Sequence, residues 1–118
     1  MKNFSKTSVG ESRRVELHDK LALTGAEVSI NTLEAGTSVP FAHYHKKNEE
    51  IYGIIAGKGK VVIDGETVEL TSGDWLRIAP SAKRQFFADR DSLISYICIQ
   101  VKENSLEEYT GDDGVMAQ

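Results

Sequence analysis

Gly36-Thr37-Ser38-Val39-Pro40-Phe41-Ala42-His43-Tyr44-His45-Lys46-Lys47-Asn48-Glu49-Glu50-Ile51-Tyr52-Gly53-Ile54-Ile55-Ala56-Gly57 is the stretch on which the fold turns. Pro40 leads into an extended run, Phe41 to His45, so His43 and His45 project from one face of it, about 7 Å apart along the chain. Glu50 opens the next strand with Tyr52, Ile54 and Ala56 on its own face, and a hairpin between the two runs would return Glu50 to the histidines. Two neutral imidazoles and a carboxylate form a three-ligand cluster that suits zinc, manganese, nickel or ferrous iron, with positions left open for water or substrate. A closed structural zinc site would use four strong ligands, usually including thiolates. The only thiol here, Cys98, falls in a core-like apolar strand and reads as a buried, inert group.

Outward from this stretch the chain reads as short alternating runs broken by turn signals, with no ten-residue amphipathic helix in the middle. Ala26, Val28 and Ile30 alternate with Glu27, Ser29 and Asn31, the period of a half-buried strand. Ile51 to Ala56 is a nearly all-apolar strand that stops at Gly57-Lys58-Gly59, read as a hairpin turn and not a phosphate loop because a strand follows it. Asp64-Gly65 joins Lys60–Ile63 to Glu66–Leu70 as a tight hairpin, since both residues tolerate positive φ. Trp75 to Ile78 ends at Pro80, Gln85 to Ala88 is short, and Leu93 to Val101 is long and apolar on both faces. The tail after Lys102 is expected to hold at most one helical turn, capped by Asn104 with Glu107 three residues on. Eight to ten short strands at this spacing describe an all-β sandwich or barrel.

The composition narrows the function classes. The chain has 118 residues, 14 basic against 18 acidic side chains for a net charge of −4, one cysteine and three histidines. There is no basic block to meet a phosphate backbone, so no nucleic-acid partner is expected. One cysteine makes no internal disulfide. The polar start, Met1 to Lys6, has no signal-peptide character, and no apolar run is long enough to span a bilayer. The expectation is one cytoplasmic domain over residues 1–118, with 1–20 an N-terminal arm or edge strand and 102–118 a C-terminal tail.

Two segments resemble the cupin superfamily. Gly36, His43, His45, Glu50 and Gly57, separated by six, one, four and six residues, are similar to the first cupin motif with one extra residue after the leading glycine. Gly73-Asp74-Trp75-Leu76-Arg77-Ile78-Ala79-Pro80 is similar to the glycine-aspartate-to-proline part of the second. The resemblance implies a single-domain double-stranded β-helix, a jelly-roll barrel, whose metal ligands would be His43, His45 and Glu50. It departs at the third histidine ligand: five residues after Pro80 stands Gln85, and no histidine follows His45. Gln85 is therefore expected as fourth or near ligand through its amide oxygen, a weaker donor than imidazole.

Among the remaining candidates, Tyr52 shares the face of Glu50, where its hydroxyl could orient a ligand or carry a proton. Phe41, Phe87 and Tyr96 are expected to line the interior, Phe87 on the face of Gln85. Arg77 and Arg84 are candidates for an anionic substrate group, although both fall near strand ends where a solvated charge is the commoner outcome. His18 lies beside Asp19 in the polar arm and is read as exposed. Small cupins include isomerases and epimerases, lyases and dioxygenases, so the resemblance leaves the reaction open. The expected function is a small metal-binding cupin that acts on or binds a small polar metabolite, such as a sugar or a keto or diol acid. The alternative is a non-catalytic ligand-binding cupin with a weakened or empty metal site. Cupins commonly pair through an N-terminal strand and a sheet edge, and with the apolar strand Leu93–Val101 this makes a homodimer the expectation.

Overall fold

One 16-residue strand carries the chain across both sheets of the structure, a computed structural model that describes residues 3–107 and 113–117. In chain order the elements are β1 (Arg14–Glu16), α1 (His18–Leu21), β2 (Glu27–Leu33), β3 (Asn48–Ile63), β4 (Glu66–Thr71), β5 (Trp75–Ile78), β6 (Arg84–Ala88) and β7 (Ile94–Lys102). The first half of β3 lies between β7 and β5 in a sheet that continues through β2 to β1. Its second half lies between β4 and β6 in the other. All of these pairings are antiparallel, and a bulge at Ile54/Ala56 lets the strand bend from one sheet into the next.

This continuity corrects the reading of Gly57-Lys58-Gly59 as a turn. Gly57 has φ +73°, and a Cβ there would fall 1.8 Å from the Leu93 carbonyl oxygen. A Cβ on Gly59 would fall 2.2 Å from that of Phe87. The glycines let neighbouring backbone pack against the bent strand, and the chain does not reverse. The true reversal follows at Asp64-Gly65, where both residues take positive φ, +49° and +85°. Merging two expected strands into one leaves seven among the described residues, fewer than the eight to ten read from the pattern.

The interior is closed by Tyr52, Ile54, Val61, Phe86, Ile94 and Tyr96. Val61 and Ile94 are wholly enclosed, each contributing about 1.5–3 kcal/mol by burial. Tyr52, Phe86 and Tyr96 stack as an aromatic floor, with ring centroids 4.4–5.7 Å apart. Phe86, and not Phe87, supplies the inward ring of β6; Phe87 faces out with the Lys60 ammonium 5.3 Å from its centroid. Phe41 is 66% exposed at the cavity rim. At the N-terminal end, β1 is an edge strand of three residues, followed by the single turn α1. At the other end, Glu103 and Asn104 form a turn with Asn104 at φ +64°, and no helix follows through Glu107. The expected tail beyond it lies partly outside the described residues.

Strand β2 reverses the usual sense of its alternation. Ser29 and Asn31 are the buried residues, while Val28 and Ile30 stand on the outer side. On β7, Ile94, Tyr96 and Cys98 point inward and Ile97 and Ile99 outward. The first sheet therefore presents polar groups to its own cavity and an apolar row to its outer face.

Candidate metal centre

Backbone pairing sets the histidines, though not by the expected hairpin. At Glu50 both edges of β3 are taken, by Ile78 of β5 and Gln100 of β7, so the preceding segment cannot fold back onto it. That segment pairs instead with β6: His43 and Arg84 exchange both backbone hydrogen bonds, at 3.0 and 2.9 Å, and Val39 N–H donates to Phe86 O. His45 N–H donates to Pro80 O at 2.8 Å. The imidazoles thus reach Glu50 across the cavity. Their rings lie edge to face with centroids 5.1 Å apart.

The ligand atoms of His43, His45 and Glu50 lie within 4.8 Å of one another. His45 Nε2 is 3.1 Å from Glu50 Oε2, and His43 Nε2 is 3.8 Å from Oε1. The carboxylate is buried to 2% exposure. Around it, Tyr52 OH donates to Oε1 at 2.6 Å and the Cys98 thiol donates to Oε2 at 3.4 Å. Burial lowers the pKa of His43, more than the Glu50 charge raises it, and so favours the neutral imidazole a metal requires. Two imidazoles and one carboxylate converging on one point, beside an open cavity, fit a divalent transition metal.

Arg84 was missed as part of this group. It is wholly buried, with Nε 3.4 Å from Glu50 Oε1, where the sequence suggested a solvated charge at a strand end. Its Nη2 donates to Ala79 O at 2.9 Å, while Nε makes no hydrogen bond in spite of its burial. No local pattern marks this role, because Arg84 opens β6 and only the closure of the barrel covers it. Arg77 lies outside, ion-paired to Glu49 and Glu103 at 2.8 and 2.7 Å. His18 is exposed and bonded to Asp19, as read. Cys98 is a free, buried thiol as read, its pKa pushed up to about 12 chiefly by burial, but it faces the carboxylate as well as the core.

The cluster opens into a cavity of about 590 Å³, within the range of small-molecule sites. Its lining includes Tyr52, Phe86, Tyr96 and Gln85 together with Arg13, Arg14, Ser29, Asn31 and Gln100. The Gln85 amide nitrogen donates to Val39 O at 2.8 Å, and alternation along β6 sets Gln85 with Phe87 on the face opposite the inward Arg84 and Phe86. The expected fourth ligand therefore reaches only the cavity rim, and Arg84 stands beside Glu50 in its place.

The fold agrees with comparison to known proteins. The cupin domain family model matches residues 29–100, more than half of the chain. The chain belongs to the cupin family. A cupin protein from Bacteroides fragilis, known as a crystal structure, is 64% identical with a TM-score of 0.96 over 100% of both chains. An uncharacterised protein of Aquifex aeolicus (strain VF5) is 28% identical over 111 residues, 94% of this cupin and 82% of its own length. At 22% identity and a TM-score of 0.66, a sugar phosphate isomerase of the cupin superfamily from Silicibacter pomeroyi shares the fold over 76% of this chain and 60% of its own.

Proposed function

We propose that this cupin holds a divalent transition metal (zinc, manganese, nickel or ferrous iron) on His43, His45 and Glu50. Gln85, at the rim of the same cavity, is the candidate fourth protein donor, reaching the metal only if its side chain turns inward. The cavity takes a small polar metabolite such as a sugar or a keto or diol acid. The observation that carries this reading is the convergence of three ligand atoms within 4.8 Å at a cavity of about 590 Å³. A metal so held supplies Lewis acidity to a carbonyl or diol oxygen. The sugar phosphate isomerase that shares the fold suits this chemistry, while isomerase, epimerase, lyase and dioxygenase remain alternatives within it.

The protein's own groups limit what else happens there. The Tyr52 hydroxyl is committed to Glu50, and its pKa is raised far above the ordinary value chiefly by burial, so it keeps its proton through the physiological range. Tyr52 thus serves as a proton-bearing donor that orients the carboxylate and borders the substrate. With few other titratable groups facing inward, a substrate that reaches the metal by adjacent oxygens suits the cavity.

Metal analysis tests the proposal on protein purified without chelator or nickel resin. About one equivalent is expected, lost in H45A and bound more tightly in Q85H. Less than about a tenth of an equivalent, with no uptake on reconstitution, favours the ligand-binding alternative with an empty site. An unchanged affinity in Q85H removes Gln85 from the ligand set.

We also propose that the outer row Val28, Ile30, Ile51, Ile97 and Ile99 is covered by a second copy, because alternation on β2 and β7 turns these apolar side chains away from their own core. Light scattering should give a dimer, and I99E a monomer of the same fold. A monomeric wild-type chain refutes the pairing.

A further inference from the structure

The wall of the cavity opposite the histidines contains a second arrangement of polar groups. Ser29 and Asn31 are buried to 5% and 7% exposure, yet they face the cavity from β2 and not a partner strand. Buried polar groups require hydrogen-bond partners, and these two have them in a chain. Asn31 Nδ2 donates to Ser29 Oγ at 3.0 Å, and Asn31 Oδ1 accepts from Arg14 Nη1 at 2.5 Å. The register of β1 on β2 sets Arg14 opposite Asn31, so a buried amide anchors the guanidinium at the cavity wall.

The outer part of that guanidinium is exchangeable. Its side chain is 58% exposed, and its carboxylate partner Glu16, at 3.5 Å, is 59% exposed. Such a surface ion pair is worth little and yields readily to a better-placed anion. Arg13 borders the same cavity through an equally exposed ion pair to Glu34, but its side chain bonds that carboxylate and not a buried amide. One anchored, exchangeable guanidinium therefore borders the cavity that the triad also lines, in a chain whose net charge is −4. Planar guanidinium groups match carboxylates in a two-point fork.

We propose that Arg14, seated by Asn31 and Ser29, is an anion-recognition site, and that the ligand is a small carboxylic acid bearing a neutral oxygen function that points toward His43, His45 and Glu50. A planar guanidinium held in one orientation by a buried amide presents the two-point fork that a planar carboxylate matches. This rests on the reading of the cavity as a ligand site but not on the presence of a metal.

The test compares L-lactate with its neutral analogue propane-1,2-diol, by NMR titration of both metal-loaded and chelator-treated protein, so that failure of the metal reading is seen separately. Lactate is expected to bind about tenfold more tightly or better than the diol, as a charge-assisted contact provides. In R14Q that ratio falls to near unity while metal content and circular dichroism stay as in the wild type. R14K, which keeps the charge but loses the planar fork toward a carboxylate, gives an intermediate ratio and also decides the matter should R14Q fold poorly. R77Q, altered on the outer face, keeps the full ratio. The proposal is overturned if the wild type shows no preference for lactate or does not bind it, or if R14Q and R14K both retain the wild-type ratio. Tighter binding of inorganic phosphate than of lactate overturns the assignment to a carboxylic acid.

Discussion

Replacing Arg84 by methionine probes the network that holds Glu50. The guanidinium is wholly buried, 3.4 Å from Glu50 Oε1, and donates to the Ala79 carbonyl. Methionine of similar reach leaves the buried carboxylate without its cation. Removing one partner of a buried ion pair costs about 3–5 kcal/mol, because the remaining charge is uncompensated. Against a total stability of about 5–15 kcal/mol this is a large share, and it corresponds to a fall in Tm of roughly 10–20 °C for a domain of this size. The assay is urea unfolding in the presence of chelator, since a bound cation would itself neutralise Glu50. The lost donor to Ala79 confounds the single variant, so the cycle R84M, E50Q and R84M/E50Q isolates the pair. The double variant should lose less than the sum of the singles by about 1–3 kcal/mol. A loss below about 1 kcal/mol in R84M, or strict additivity across the cycle, would refute the claim that Arg84 is the buried counter-charge of Glu50.

Two further outcomes follow from the same site. Cys98, with its thiol pKa pushed up to about 12 by burial, should resist iodoacetamide at pH 8 in the native protein and react promptly in urea; native-state labelling at the rate of a free thiol refutes its burial. His43, whose folded pKa lies below 6.5, should titrate in chelated protein with a midpoint under that value by NMR, assigned by its absence in H43N. Since the unfolded chain takes up this proton first as pH falls, the contribution of His43 to stability is present above pH 6.5 and is lost as pH drops from there through the folded value; a midpoint at or above 6.5 refutes it.

The sequence alone was sufficient for the all-β class, the reversal at Asp64-Gly65 and the grouping of His43 and His45 with Glu50. Each of these depends on short-range rules: period-two alternation, the tolerance of two residues for positive φ, and a motif whose ligands are close in the chain. The sense of the alternation on β2 was not legible. Ser29 and Asn31 alternate with Val28 and Ile30 whichever side faces inward, and the cavity, closed only when β7 and β3 pair, decides that the polar side does. The same closure buries Arg84, which from its neighbours reads as a solvated charge, and brings Arg14 from an edge strand to the cavity that the triad lines. The glycines at 57 and 59 look like a turn until the backbone of Leu93 and Phe87 is packed against them. Local chemistry determined which residues could bind a metal. Long-range pairing decided which charges they meet, because burial belongs to the closed barrel and to no segment of it.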